Sequence, residues 1–531
     1  MGVTRRELLV AGAAGGVAIW LPDGVREADA ASRRKVPLAR DGGFASGVMS
    51  GDPAPDAVTL WTRLDDQEAP RQRLRLDVAR DPEFRRVVLR RDVPVTALRD
   101  HTAKVRVGGL SPDTRYWFRF RTRTTASPVG RTQTAPAPGS QRPVRIGYFA
   151  CQDFASGHYG AYRRLLELDP DVVVCGGDYI YDRVYEESGY GGVREDRTGA
   201  NRDSVARTIG DYRAKYRLYR SDPDLRELQR LVPLVAQWDD HEVTDNYAGT
   251  LDSSGADDGE EADRYDRARI LAGWRAWHEH MPALRFGKGY RTFRRLPFGG
   301  MVDLFCLDER SYRDDQPCGG AGFQRCPDSM APRKFLGDEQ LAWFKDGLAR
   351  SAATWKVVAN QLMIMPFDVA AEVPVTVDSW EGYGAERADV AHFLGDRGIK
   401  DVAFLTGDIH TFFAGSVLRD ARSGPPVAVE LVGGSTTSPG TAQTISQTAG
   451  GGALPPDLVK ALADNVTLTN PWFSYAETRA HGCALLEATP GELRAQYLAS
   501  RDVTTVEGSR DVRVLARLRV PRGEARVEVQ S

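Results

Sequence analysis

The chain has 531 residues, 41% of them hydrophobic, and a formal net charge of −2. That length supports more than one domain and a large core, and the balance of Lys and Arg against Asp and Glu excludes a globally basic nucleic-acid binder. Six cysteines are too few for a disulfide-dependent scaffold of this size.

Residues 1–30 read as an export signal. Arg5 and Arg6 precede an apolar stretch to about Leu21, and Ala28-Asp29-Ala30 offers a small-residue cleavage site. Paired arginines resemble the twin-arginine type, which makes the twin-arginine export machinery a partner and the location secreted, cell-wall or periplasmic. The apolar stretch is short for a membrane span and no later segment is long enough, so no stable membrane insertion is expected after cleavage.

Residues 40–134 read as an all-β domain. Val58–Thr62, Leu74–Val78 and Tyr116–Phe120 alternate like half-buried strands, as in a small sandwich of immunoglobulin or fibronectin type. A Pro-rich linker follows at 135–143. From 144 to 500 apolar runs alternate with helical stretches, including Asp211–Arg220 and Asp263–His280, so a mixed or parallel sheet flanked by helices is expected. The Arg213, Lys215, Arg217 and Arg220 cluster reads as a solvated helix face rather than a phosphate site. Gly450–Pro456 reads as a flexible loop, and residues 501–531 as a C-terminal β extension. Cys318 and Cys326 flank a glycine-rich segment and are placed to close a small loop.

Chemistry concentrates where four apolar runs end: Phe149-Ala150-Cys151-Gln152, Gly177-Asp178-Tyr179-Ile180-Tyr181, Trp238-Asp239-Asp240-His241-Glu242 and Gly407-Asp408-Ile409-His410. Open α/β sheets gather ligands just beyond the carboxyl ends of their strands. Thiolate, carboxylate, phenolate and imidazole at one edge make a metal site. Asp178 follows two glycines, where a sharp turn lets its carboxylate bridge a pair of ions. Tyr181 favours iron(III) over magnesium. Asp240 and Asp408 are hard oxygen ligands suited to calcium, magnesium or manganese. Cys151 is either a ligand or another buried thiol. His410 and His241 offer imidazoles.

These motifs resemble the PhoD-type alkaline phosphatases and phosphodiesterases of the calcineurin-like metallophosphoesterase superfamily. So do Ser50-Gly51-Asp52-Pro53, Leu60-Trp61-Thr62-Arg63, Leu307–Arg313, Trp355–Gln361 and Asp378–Tyr383. The resemblance implies an α/β fold, an αββα core behind the N-terminal β-sandwich. It also implies a secreted, metal-dependent phosphoester hydrolase holding iron(III) with one or more calcium ions. Cys151, Asp178, Tyr181 and His410 would hold iron; Asp178 would bridge to calcium, with Asp240, Asp408 and Asn360 on that side. Water acidified by the metals would attack phosphorus, and His241 would assist departure of the alcohol. Arg310, Arg313, Trp380 and Tyr383 would line the entrance for a phosphate ester.

Two rival readings remain open at this point. The first is a phosphodiesterase, phospholipase D-like, acting on phospholipids, nucleic acids or teichoic acids. The second is a non-catalytic, wall-associated binding protein with purely structural metals.

Overall fold

Apolar, β-branched runs become strands here, and the places where those runs stop become the working edge of the molecule. The computed structural model describes residues 36–530 apart from 67–68, 186–191, 250–265, 285–288, 321–330, 371 and 444–455. The expected signal, Cys326 and most of the Gly450–Pro456 loop lie outside the described residues.

Seven strands come first: β1 (Val48–Ala54), β2 (Ala57–Arg63), β3 (Arg71–Ala79), β4 (Val87–Thr96), β5 (Thr102–Gly108), β6 (Arg115–Arg121) and β7 (Gly130–Gln133). Their alternating apolar residues enclose one core, with Val58 and Leu60 facing Leu74, Leu76, Phe118 and Phe120. One layer is the antiparallel sheet β4-β3-β6-β7, and the other pairs β2 with β1 and β5. The segment expected as a linker is tightly held. Ala135 is buried, its N–H donating to Ala54 O at 3.1 Å and its carbonyl accepting from Asp113 N at 3.0 Å.

The next strands are β8 (Val144–Phe149), β9 (Val172–Cys175), β10 (Leu234–Ala236), β11 (Arg294–Phe298), β12 (Val302–Cys306) and β13 (Trp355–Asn360). After a short hairpin of β14 (Asp368–Ala370) and β15 (Val373–Pro374) come β16 (Val402–Thr406), β17 (Phe412–Asp420), β18 (Ser423–Gly433) and β19 (Phe473–Glu477). The chain finishes with β20 (Gly482–Ala488), β21 (Glu492–Ser500), β22 (Val512–Pro521) and β23 (Glu528–Gln530). A ten-stranded sheet runs β23-β22-β21-β20-β8-β9-β10-β1-β2-β5, and a seven-stranded sheet runs β11-β12-β13-β16-β18-β17-β19.

The two large sheets pack face to face. Ile146, Tyr148 and Val174 from one meet Leu304, Val357, Leu405 and Leu431 from the other. Helices cover both outer faces. Tyr162 and Leu165 of Ala161–Glu167, Tyr216 of Ile209–Tyr219, Leu228 of Pro223–Leu231 and Trp277 of Arg267–His280 lie against the β8-β9-β10 side. Phe344 of Gly337–Arg350 and Val390 of Gly384–Asp396 lie against β12, β13 and β16. The layers are therefore αββα. Among the described residues no helix is long and apolar enough to cross a membrane.

Two local outcomes differ from the sequence reading. The helix expected from Asp211 begins two residues earlier, because Thr208 and Asp211 form a capping box at its start. Its basic cluster is not a solvated face: Lys215 is buried in an ion pair with Asp196, and buried Arg220 donates to His280 Nδ1 at 3.0 Å. Arg213 and Arg217 pair with Glu279 at 2.7 Å and Asp100 at 2.8 Å. A helix, Pro456–Thr469, begins at the last residue of the segment read as a loop.

The first strands are not a separate appendage. β1 pairs in parallel with β10 through Gly51 and Leu234. A Cβ on Gly51 would lie 2.4 Å from Leu234 O and 2.7 Å from Pro282 O, so only glycine permits this approach. Beside it, the buried Asp52 carboxylate accepts from Arg294 Nη2 at 2.8 Å, from Arg294 Nε at 3.1 Å and from Leu284 N at 3.0 Å. Asp52→Ala strands the Arg294 guanidinium inside the protein, at a cost of about 3–5 kcal/mol. Calorimetry should show one unfolding transition for the whole fold, displaced to lower temperature in the variant; an unmoved transition would mean the seam bears no stability.

Candidate metal centre

The four strand ends meet between the two sheets. Cys151 follows β8, Asp178 follows β9 across Gly176-Gly177, Asp239–Glu242 follow β10, and Asp408 and His410 follow β16. Parallel registers align these ends, β8 with β9 and β9 with β10. Cys151, Asp178, Asp408 and His410 all take left-handed backbone, with φ of 53°, 51°, 61° and 57°. Such geometry is disfavoured for residues with a Cβ, and it persists where surrounding structure over-determines it. Gly177 adopts φ 118°, and a Cβ there would sit 2.4 Å from Asp239 Cβ. The Asp178 and Asp239 turns therefore touch backbone to backbone.

Buried glutamates hold the strand-end turns, Glu242 those of Asp178 and Asp239 and two others the turn beyond β13. Glu242 accepts from Tyr179 N and Asp239 N, each at 2.7 Å, and from Asp178 N at 3.1 Å. Glu309 accepts from Gln361 N at 3.0 Å and Leu362 N at 2.7 Å, beyond β13. Glu430 accepts from Ile364 N at 3.0 Å, Met365 N at 2.7 Å and Thr406 Oγ1 at 2.7 Å. Burial pushes Glu430 up to about 7 and Glu242 to about 8.

The resulting donor array falls into three overlapping groups, each with its ligand atoms within 4.8 Å: Cys151, Asp178 and His410; Asp178, Asp240 and His241; Asp239, Asp240 and Asp408. Tyr181 joins the first group, its hydroxyl 3.1 Å from His410 Nε2 and 3.2 Å from Asp178 Oδ2. Ser438 Oγ donates toward that hydroxyl at 2.7 Å. His410 Nδ1 lies 2.9 Å from Pro439 O, which leaves Nε2 facing inward.

Electrostatics ask for a cation at this place. Burial, reinforced by Asp240 and Asp239, pushes the Asp178 carboxyl well above its ordinary range, and burial with Asp239 does the same to Asp408. Burial and the Asp178 charge push the Cys151 thiol well up. Asp239 Oδ2 is buried without a hydrogen-bond partner. A buried cluster of like charge with open oxygen atoms matches a site for metal ions.

His241 stands at the same edge. Its ring stacks on Tyr181 with centroids 4.1 Å apart, and its Nδ1 lies 3.0 Å from Asp182 Oδ1 and 3.2 Å from Tyr185 OH. Asp182 is fully buried and anchored by Arg269 Nη2 at 2.8 Å. Neither Asp182 nor Tyr185 was singled out in the sequence. The Asp one position beyond Tyr181 was the available signal. Asp239 was also passed over as a donor, although it adjoins Asp240.

The remaining expected residues form the inner wall. Asn360 ends β13, its Nδ2 donating to Leu362 O and to Thr406 Oγ1 at 3.1 Å, while Oδ1 lies 3.4 Å from Trp380 Nε1. Arg310, Arg313, Trp380 and Tyr383 do not reach the surface, at 0%, 1%, 0% and 0% exposure. Arg310 pairs with Asp239, with Asp378 at 2.6 Å, with Asp408 at 3.0 Å and with Asp240 at 3.3 Å. Arg313 binds Asp378 Oδ1 at 2.7 Å and Tyr247 O at 2.9 Å. Trp380 donates to Glu309 Oε1 at 3.1 Å, and Tyr383 donates to Asp314 O at 2.6 Å. Their partners draw all four inward, so they shape the site from behind.

Known proteins share this fold. The profile of the PhoD-like phosphatases matches residues 146–497, and that of the PhoD-like phosphatase N-terminal domain matches 29–136. Alkaline phosphatase D of Bacillus subtilis (strain 168) is 34% identical over 416 residues, covering 75% of this chain and 70% of the relative. A solved structure of PhoD superposes with a TM-score of 0.81 and 29% identity over 94% of both chains. The purple acid phosphatase PPD1 of yellow lupin seeds shares the fold, with a TM-score of 0.53 and 12% identity over 90% of this chain and 74% of its own. The chain thus belongs to the PhoD-like phosphatase family and is a phosphoric ester hydrolase.

Proposed function

We propose that this phosphatase works with iron(III) and calcium, acts outside the cytoplasm after twin-arginine export, and takes phosphate monoesters as well as accessible diesters. The observation that carries the metal reading is the first donor group, where a thiol, a carboxylate, a phenol and an imidazole share one corner. Phenolate and thiolate together suit a trivalent or soft ion. Cys151, Asp178, Tyr181 and His410 would hold iron. Asp178 would reach across to calcium, with Asp240 and Asp408 beside it and Asn360 offering Oδ1. When bound, these ions would supply Lewis acidity toward water and the phosphoryl oxygens.

The protein's own groups supply orientation and proton transfer. Asp182 and Tyr185 fix the His241 ring through Nδ1, which leaves Nε2 to donate to a phosphoryl oxygen or to the departing alcohol. Arg310, shared among four carboxylates, sets the directions of Asp240 and Asp408. The export reading rests on Arg5, Arg6 and the apolar stretch behind them. Twin-arginine transport of a folded chain suits a site assembled from four distant strands.

Substrate class is tested by kcat/KM for an aryl phosphate and the matching bis-aryl diester. Turnover of both is expected, and complete inactivity toward the monoester would overturn the phosphatase reading in favour of a strict diesterase. Tyr181→Phe should abolish visible absorption from a tyrosinate–iron(III) pair and reduce bound iron by elemental analysis; a colourless, fully active wild-type enzyme would remove iron from the scheme. His241→Ala should keep its metal content while kcat falls by roughly 10²–10⁴-fold, the scale of acid–base assistance. Loss of metal in that variant would make His241 a ligand instead.

A further inference from the structure

The near-neutral charge of the chain conceals a strong local segregation. Residues 71–92 and 115–123 hold twelve arginines against four acidic residues, a surplus of eight in a chain whose net charge is −2. This segment builds β3, β4 and β6, three neighbouring strands of the four-stranded sheet.

Strand register sorts those charges onto one face. On β3, Leu74, Leu76 and Val78 point into the core, so Arg73, Arg75 and Asp77 point the other way. Arg75 lies opposite Asp92 of β4 and Arg121 of β6, and Asp77 lies opposite Arg90 of β4 and Arg119 of β6. The outer face therefore carries Arg73, Arg75, Arg90, Arg119 and Arg121 around only two carboxylates.

The arrangement is built rather than loose. Asp77 is wholly buried beneath three guanidiniums, with Arg90 Nε and Arg121 Nε at 2.9 Å and Arg119 Nε at 3.4 Å. Asp92 likewise holds Arg73 Nη1 at 2.8 Å and Arg75 Nε at 3.0 Å. Each carboxylate accepts at one side of several planar cations, while their outer edges stay in solvent; the Arg90 side chain is 56% exposed and that of Arg75 is 40%. Guanidiniums fixed in this way lose little freedom on meeting an anion. Trp117, half-buried, shares this outer face, with Ala79 and Arg131 as its register partners, and Val88 of β4 is 46% exposed.

We propose that the outer face of β4-β3-β6 binds a flexible phosphodiester polymer through its backbone charge, independently of the metal centre. Five guanidiniums set around two carboxylates on this face complement the charge of such a chain. An enzyme so equipped holds a polymeric ester while its catalytic edge works on it.

The test uses the full-length enzyme, fluorescence anisotropy and an abasic phosphodiester oligomer, with a neutral methylphosphonate oligomer as control. Wild type should bind the charged oligomer with an affinity that falls steeply with salt, the slope being about −0.7 per phosphate contacted. Arg73→Gln/Arg75→Gln/Arg90→Gln should weaken binding at least about tenfold and flatten that slope, with kcat/KM for an aryl phosphate unchanged. Equal binding of the neutral oligomer, or unaltered binding by the triple variant, would overturn the proposal. Binding to anionic phospholipid vesicles without binding to the oligomer would assign the face to a membrane surface instead. A dimer that dissociates in the triple variant would assign it to a second copy of the chain, which also defeats the proposal.

Discussion

Confining negative charge is the condition on which this structure rests. Asp178, Asp239, Asp240, Asp378 and Asp408 are drawn into one interior with Arg310 as the cation that touches four of them. Carboxylates that close repel one another, and in a low dielectric each also loses its hydration. Metal ions relieve both penalties, so the polypeptide must hold the donors together before the ions arrive.

Part of that holding is done by Glu242, which takes the backbone N–H groups of Asp178, Tyr179 and Asp239, while Glu309 and Glu430 fasten the turn beyond β13. The turns need it. Left-handed backbone costs on the order of 1–2 kcal/mol at a residue with a Cβ, and Cys151, Asp178, Asp408 and His410 all adopt it. Sheets packed on both sides absorb this cost, because β8, β9, β13 and β16 are buried from end to end apart from Arg145 and Lys356. A rigid frame and a strained rim are two aspects of the same design, the rim tolerable only where the frame cannot yield.

Much of this was legible in the residue pattern. Runs such as Val172–Cys175 and Val402–Leu405 announce buried strands, and the donors follow directly where they end, so the site could be located without coordinates. Side chains defined by distant partners were not legible. Arg313 and Tyr383 resemble entrance residues until Asp378 and Asp314 O draw them inward. Lys215 looks solvated until Asp196 meets it in the interior. The pairing of β1 with β10 was equally hidden, since period-two alternation reveals a strand but never its neighbour. Asp182 escaped notice because its role exists only beside His241.

The order of strands in the ten-stranded sheet also governs when the enzyme comes into being. β8, which delivers Cys151, lies between β9 and β20, with Gly147 facing Leu485 from almost the far end of the catalytic segment. Cys151 O, in turn, accepts from Ser438 Oγ at 2.8 Å. A ribosome-bound chain that has emerged only as far as Asp408 possesses most of the donors but neither clamp on the first of them. A product truncated before Ser438 lacks both contacts that hold the end of β8.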